Sequence, residues 1–162
     1  MTIRAIRLED TDDVIALSEA TGLFGPSELE ELRETLASFT RGALGSDHFW
    51  LGNVDRDQIV AVVYFAPEAM TRGTWNLHMI AVRPDRQRHG LGAIMLRHVE
   101  QTLRERSERL LLVETSGVPE FEGQRTFYRK NGYEEAARIR DFYALGDDKV
   151  VFLKDLADPK GC

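Results

Sequence analysis

Cysteine is almost absent from this chain of 162 residues, since Cys162, the last residue, is the only one. An internal disulfide is therefore excluded, and a lone terminal cysteine has no neighbours that would make it a catalytic nucleophile. No apolar run approaches the roughly 18 residues that a membrane-spanning helix needs, and the first residues lack the apolar stretch of a secretory signal. These absences predict a cytoplasmic protein without a membrane segment.

Positive charge is also scarce. Lys and Arg number 21 against 27 Asp and Glu, and the resulting net charge of −6 argues against nucleic-acid binding by bulk electrostatics. No group of His, Cys, Asp and Glu has the spacing of a metal site, so no metal is expected. Apolar residues make up 43% of the chain, which is ordinary for a globular protein. We expect one domain over residues 1–157 and a short tail at 158–162.

Residues 82–93 combine the features of a phosphate-binding turn. An apolar run that ends at Val82 predicts a strand, and a helical stripe that starts at Leu91 predicts an amphipathic helix. Gly90 and Gly92 at the helix start would leave its first backbone amides open, where the positive end of the helix dipole favours an anion. The turn also contains three basic residues, Arg83, Arg86 and Arg88.

Two familiar phosphate-binding loops do not fit this turn. No Gly-Lys-Ser/Thr follows the glycines, so a Walker P-loop is excluded. The dinucleotide-binding fingerprint has a third glycine where this chain has Met95. The alternative without a ligand is a strand-to-helix turn whose glycines only permit tight packing.

Periodicity along the whole chain predicts the order β-α-α-β-β-β-α-β-α-β-β, and hence an α/β (α+β) fold with a mixed sheet of about seven strands and four helices. The second helix is expected to start with a capping box of Ser27 and Glu30. The fourth should open at Pro119. The continuous apolar run Leu110–Val113 predicts a strand buried on both faces, and a final hairpin should turn over residues 145–148.

The turn resembles a known family signature. Gln87-x-x-Gly90-x-Gly92 is similar to the Gln/Arg-x-x-Gly-x-Gly/Ala pattern of the GNAT (GCN5-related) N-acetyltransferases, and the order of elements matches that family from end to end. The resemblance implies acetyl-CoA as co-substrate, with the turn amides on its pyrophosphate and its pantetheine arm beside the strand that ends at Val82. It also implies that a homodimer is a common assembly. The cofactor-binding residues it assigns are Ile80, Ala81, Val82, Gln87, Arg88, His89, Gly90, Leu91, Gly92 and Ala93.

The segment Thr126–Tyr133 resembles the second signature of that family, L-Y-x-k-x-G-F. The resemblance implies that Tyr128 protonates the departing thiolate, since a phenol with a pKa near ~10 can exchange a proton with a thiol near ~8.5. Tyr133, after the turn glycine, is expected in the core. The chain departs from the family in this element: Phe121 stands where many members have asparagine, and Gln124 where they have alanine.

An amine acceptor must lose a proton before it attacks. By strand alternation His78 shares a face with Ile80 and Val82, and imidazole titrates in the useful pH range. Some GNAT members have histidine at this position as part of a proton path, which makes His78 a candidate base. A core histidine bonded to backbone is the alternative. Glu114 is a second candidate base, or else a salt-bridge partner of the basic turn.

Asp141 precedes the aromatic pair Phe142-Tyr143, and the acidic turn with Asp147 and Asp148 follows it. This hairpin is similar to that of the ribosomal-protein N-terminal acetyltransferases, in which a Tyr-Tyr pair precedes an acidic turn and the hairpin forms a wall of the acceptor site. By alternation Asp141 and Tyr143 share a face, so one ammonium group could contact both. Phe24 would line the opposite wall in this fold. The alternative is an aromatic pair on an edge hairpin with a solvated turn.

These patterns together predict an N-acetyltransferase that moves the acetyl group of acetyl-CoA to a primary amine by direct attack. The acceptor stays open between a small amine, an amino acid and a protein N-terminus. A non-catalytic acyl-CoA sensor and a partner-binding module of the same fold are the alternatives.

Overall fold

The order of elements is the one that the sequence predicts. A computed structural model describes residues 1–157, so Cys162 and the tail predicted at 158–162 lie outside the described residues. The strands are β1 (Thr2–Ala5), β2 (Phe49–Asp55), β3 (Gln58–Pro67), β4 (Thr74–Val82), β5 (Leu110–Ser116), β6 (Glu134–Ala144) and β7 (Asp147–Asp155). The helices are α1 (Thr11–Ala20), α2 (Pro26–Thr40), α3 (Leu91–Glu105) and α4 (Glu122–Lys130).

The strands form a mixed seven-stranded sheet in the order β1-β2-β3-β4-β5-β7-β6, which confirms the predicted fold class. Strands β4 and β5 pair in parallel, from Thr74–Leu110 to Leu77–Val113. Strand β7 pairs antiparallel with both β5 and β6. The chain divides into two compact units, residues 1–66 with 79–99 and residues 67–78 with those from 100 onward.

In the first unit, α1 and α2 contribute to one apolar core with the β2–β3 hairpin. Val14 of α1, Leu36 of α2 and Trp50 of β2 are fully buried in it. The hairpin turns over Arg56 and Asp57, which both have positive φ (50° and 65°). Positive φ at both central residues is typical of a two-residue turn whose twist matches the strands.

Helix α3 carries the stripe that the sequence predicts. Leu91, Met95, Val99 and Leu103 are at most 3% exposed. They recur at every fourth position, so they lie along one side of the helix. No helix within residues 1–157 combines the length and apolar character needed to span a membrane.

In the second unit, strand β5 corrects a prediction. Leu111 and Val113 are buried, whereas Leu110 and Leu112 are only partly so. The strand therefore does not have two equally buried faces. A continuous apolar run cannot reveal this by itself, because alternation becomes visible only when a neighbour covers one face.

Three predicted boundaries were also wrong. Helix α2 begins two residues earlier, with Pro26 in its first turn and Gly25 as N-cap, and Glu28 rather than Glu30 accepts a hydrogen bond from the Gly25 amide. Pro119–Phe121 forms a separate 3-10 turn, so α4 starts at Glu122. The last hairpin turns over residues 145–146 only, because β7 begins at Asp147.

Candidate active site

The turn between β4 and α3 presents a row of unpaired backbone amides. Arg88 and Gly90 have positive φ (66° and 78°), which turns the chain before the helix begins. The amide of Ile94 donates to the carbonyl of Gly90 at 3.0 Å. The amides from Arg88 to Ala93 donate to no acceptor within residues 1–157. Successive open N–H groups at a helix start form a concave site for an anion.

The three arginines of this turn differ in what they can offer a ligand. Arg83 is paired with Asp85 at 2.6 Å, and Arg86 with Asp55 at 2.7 Å. These hydrogen bonds lower the pKa values of both carboxyl groups. Arg88 is exposed and forms no ion pair in the described part of the chain. Of the three arginines in the turn, Arg88 is therefore the one whose charge is not paired with a carboxylate among the described residues.

Gln87 has a structural role in the turn. Its Nε2 donates to the carbonyl of Val82 at 3.1 Å, so the side chain ties the turn back to the end of β4. His89 and Gly90 are exposed beside it, and Leu91 is buried beneath the first helical turn. On β4 itself Ala81 is buried, and Ile80 and Val82 are partly exposed.

Tyr128 is buried in the last part of α4. Its ring packs against the ring of Tyr133, with centroids 6.0 Å apart at 63°, and against Phe152 at 5.7 Å. Burial raises the pKa of the Tyr128 hydroxyl, so the group stays protonated at neutral pH. Within residues 1–157 this hydroxyl has no hydrogen-bond partner. The Tyr128 hydroxyl is therefore a protonated donor, and an acceptor atom of a ligand could take a hydrogen bond from it.

The two candidate bases differ in their surroundings. His78 is exposed on β4, two residues after Asn76, whose Nδ2 donates to Glu68 at 2.7 Å. The carboxylate of Glu114 lies 3.0 Å from Nζ of Lys149, whose side chain is 14% exposed. The sequence left a salt bridge with the basic turn as an alternative to the base role of Glu114, and the ion pair that the structure shows is with Lys149 instead.

The final hairpin does not alternate where the acceptor residues lie. The pairing of β6 with β7 shifts between Ile139 and Ala144, and Asp141 has a φ of 56°. Asp141 Oδ1 accepts from the amide of Gly146 at 2.8 Å. Regular alternation therefore does not put Asp141 and Tyr143 on one strand face, because the pairing shifts across this stretch and Asp141 itself has a left-handed backbone. Both side chains are nevertheless exposed.

Two further regions complete the survey of predicted residues. Phe24, between α1 and α2, is partly buried and packs against the core of the first unit. Among residues 1–157, no three His, Cys, Asp or Glu side chains are grouped as a metal site would require.

Comparison with known proteins identifies the family. The profile of the acetyltransferase (GNAT) domain matches residues 45–135, more than half of the chain. The protein is a member of the GNAT acetyltransferase family. A GNAT-family protein from Desulfovibrio desulfuricans has 30% sequence identity and a TM-score of 0.92, and the match covers 96% of this chain and 99% of that one. Comparison with curated protein sequences gives no match.

Two more distant structures share the GNAT fold. The ribosomal-protein-S18-alanine N-acetyltransferase from Escherichia coli has 21% identity and a TM-score of 0.78, with 97% of this chain and 94% of that chain covered. An aminoglycoside 6'-N-acetyltransferase complexed with coenzyme A has 17% identity and a TM-score of 0.76, with 98% of both chains covered.

In this GNAT chain, helix α4 also contains a buried arginine with a structural role that the sequence analysis did not single out. Arg125 is 5% exposed, and its Nη1 donates to the carbonyls of Ser116 at 2.6 Å and Val118 at 2.9 Å. It thereby holds the loop that leads from β5 to the helix of Tyr128. The signal was its position three residues before Tyr128, which places both on one side of the helix.

Proposed function

We propose that this protein is an acetyl-CoA-dependent N-acetyltransferase that acts on a primary amine. The observation that carries the proposal is the row of open amides from Arg88 to Ala93 in a member of the GNAT family. A pyrophosphate is an anion of the size that such a row can bind. A structure of the same fold was obtained with coenzyme A, the carrier that this proposal requires.

The proposed cofactor site uses the turn and the end of β4. The amides would donate hydrogen bonds to the pyrophosphate oxygens, and the guanidinium of Arg88, which has no ion pair among the described residues, would add charge at the same place. Gln87 would keep the turn in shape through its bond to Val82. The remaining residues proposed to contact acetyl-CoA are Ile80, Ala81, Val82, His89, Gly90, Leu91, Gly92 and Ala93.

The proposed reaction is direct transfer. The neutral amine nitrogen attacks the thioester carbon, a C–N bond forms, the C–S bond breaks, and the sulfur leaves as a thiolate. The hydroxyl of Tyr128 donates its proton to that sulfur, which yields the free thiol of coenzyme A. The attacking nitrogen loses one further proton as it becomes the amide, and a proton from solvent restores the Tyr128 hydroxyl. Tyr128 is protonated in the neutral range, as an ordinary phenol is, and burial raises its pKa further, so it is a weaker acid than a free phenol.

A base must take a proton from the acceptor ammonium. We propose His78 for this step, because imidazole ordinarily titrates near pH 6.5 and the side chain is exposed. Glu114 is the second candidate. Its carboxylate lies 3.0 Å from Nζ of Lys149.

For the acceptor wall we propose Phe24, Asp141 and Tyr143. The backbone amide of Gly146 occupies Oδ1 of Asp141, and Oδ2 has no hydrogen bond within the described residues. That oxygen could accept from an ammonium group. Small amines, amino acids and peptide N-termini all present such a group, and the proposal extends to this shared chemistry.

One assay separates the proposal from its alternatives. The protein is mixed with acetyl-CoA and a panel that contains small amines, amino acids and short peptides, and release of the free thiol is followed. Thiol release that depends on both protein and amine supports the transferase. Calorimetric binding of acetyl-CoA without amine-dependent thiol release would instead indicate an acyl-CoA sensor, and absence of binding would indicate a partner-binding domain.

A further inference from the structure

A buried ionic cluster lies in the second unit and is not used by the chemistry above. Glu100 of α3, Lys154 of β7 and Tyr133 are 3%, 6% and 4% exposed. Glu100 Oε1 accepts from the hydroxyl of Tyr133 at 2.8 Å and from Nζ of Lys154 at 3.0 Å. One carboxylate oxygen therefore joins a helix, a strand and the segment after α4.

Tyr133 and Lys154, the two residues that donate to Glu100, also contact the backbone around Tyr128. The amide of Tyr133 donates to the carbonyl of Tyr128 at 3.0 Å, and the two rings pack edge to face. Nζ of Lys154 also donates to the carbonyl of Asn131 at 2.9 Å. The side chain of Asn131 in turn donates to the carbonyl of Phe127 at 2.8 Å. The cluster thus holds the backbone on both sides of Tyr128 and one face of its ring.

Stability alone does not account for such an arrangement. A buried ion pair loses so much hydration that apolar residues of similar size often stabilise a protein as well or better. A group that donates a proton, in contrast, must be held in one orientation by neighbours that cannot move. The contact from Tyr133 to Glu100 depends on the Tyr133 hydroxyl, which a phenylalanine at this position would lack.

We propose that Glu100 is a positioning residue which, with Lys154 and Tyr133, fixes the ring of Tyr128 in the orientation that proton donation requires. The inference rests on the proposed role of Tyr128 as the acid. Glu100 acts through Tyr133 and touches no substrate itself. Arg104, 3.8 Å from Glu100 Oε2 and hydrogen-bonded to the carbonyl of Leu156, supports the carboxylate from the same helix.

The test separates stability from positioning in two steps. Glu100→Leu leaves the ammonium of Lys154 buried and unpaired, so the melting temperature should fall strongly. Adding Lys154→Met removes that orphaned charge and should restore most of the melting temperature. Tyr133 stays untethered in the double variant, so kcat should remain roughly tenfold below wild type, with KM for acetyl-CoA unchanged.

The ring of Tyr128 gives a readout that does not depend on activity. The chain has four tyrosines, so ring signals in ¹³C-tyrosine NMR spectra are few, and that of Tyr128 is assigned by its loss in Tyr128→Phe. The signal should shift or broaden in Glu100→Leu/Lys154→Met. The matched control is Arg4→Met/Asp10→Leu, which removes an ion pair of 2.7 Å in the other unit and should leave the Tyr128 signal unchanged.

Two results would overturn the inference: a Tyr128 signal identical to wild type in the double variant, or kcat that recovers together with the melting temperature. If the double variant does not fold, Tyr133→Phe is judged by the same two measurements, since it removes only the tether. A Tyr128→Phe variant with wild-type kcat would refute the proposed acid. Positioning would then be judged by the ring signal alone, so the two failures are distinguishable.

Discussion

Gly90 shows how a single residue shapes the proposed cofactor site. Its φ of 78° lies in the left-handed region, and a Cβ added there would meet no atom within 4 Å. Space is therefore not what requires glycine at this position. Glycine is required here because the backbone is left-handed and because a side chain would obstruct the approach of a ligand to the amides.

Gly90→Val tests the turn. A β-branched residue at this φ is strained by about 1–2 kcal/mol and covers the neighbouring amides, so acetyl-CoA affinity should fall at least about tenfold. Gly42→Val is the matched control, because Gly42 has a φ of 74° and equally open surroundings. Both variants should lose similar stability in thermal melts, and only Gly90→Val should lose affinity in calorimetry. Equal affinities in the two variants would remove the turn from the site.

Tyr128→Phe tests the acid. The substitution keeps the ring packing and removes the hydroxyl, so kcat should fall by roughly 10²–10⁴ with little change in acetyl-CoA affinity. Tyr64→Phe serves as control, since it removes a hydroxyl bonded to His48 in the other unit. Steady-state kinetics on both variants decide the matter. Retention of more than about half of kcat in Tyr128→Phe is incompatible with the assignment.

At the scale of elements, ion pairs at the start of α1 connect it to β1. Asp10 accepts from Arg4 at 2.7 Å and from the amide of Arg7 at 2.7 Å, in the 3-10 turn that precedes the helix. The hydrogen bond from Arg4 is the main cause that lowers the pKa of Asp10. A carboxyl group whose pKa is lower in the folded state stabilises that state when it is ionised.

Because folding lowers the pKa of Asp10, the stability that Asp10 contributes depends on pH. The contribution of Asp10 is fully present above the unfolded pKa of about 3.9 and is lost as the pH falls through the lower folded value. Asp10→Asn should therefore be less stable than wild type at pH 7, and the difference should shrink at pH 3. Urea denaturation of both proteins at the two pH values measures it. A difference that stays constant would show that Asp10 contributes through packing instead.

Arg125 stabilises the loop before helix α4 by hydrogen bonds, as Asp10 stabilises the turn before α1. Arg125→Met leaves the carbonyls of Ser116 and Val118 without their donor, which should lower the free energy of unfolding by about 2–3 kcal/mol. The control is Arg129→Met on the same helix, where an exposed side chain contacts Glu122 at 3.5 Å, and a change within about 0.5 kcal/mol is expected. Denaturant unfolding of both variants checks this. Similar losses would mean that the loop is held by other contacts.

For the whole molecule, the proposed ligand should stabilise the folded state by mass action. At about 100 times its dissociation constant, acetyl-CoA should add about 2.7 kcal/mol, which corresponds to a rise in melting temperature of roughly 5–10 °C. Thermal melts with and without acetyl-CoA measure the shift. Gly90→Val at the same ligand concentration should show a smaller one, and an unchanged wild-type melting temperature would contradict the proposed cofactor.

Whether the sequence alone predicts a feature depends on how far apart along the chain the interacting residues lie. The stripe of α3 from Leu91 to Leu103 was predictable, because apolar periodicity is a local signal. The burial of Tyr133 was expected from its place in the family signature. The alternation argument for Asp141 and Tyr143 was wrong, because the register shift between Ile139 and Ala144 depends on the partner strand β7. The start of β7 at Asp147, within the turn predicted over residues 145–148, was missed for the same reason.

The sequence by itself determined the order of strands and helices and the turn with its spaced glycines, since both follow from steric and apolar patterns within a few neighbouring residues. Only the tertiary structure decided which charges are paired. Arg86 meets Asp55 across 31 positions, and Lys154 meets Glu100 across 54. No local pattern encodes such partners. They come together because the sheet and α3 bring distant segments into contact, and burial then makes each unpaired charge too costly to leave alone.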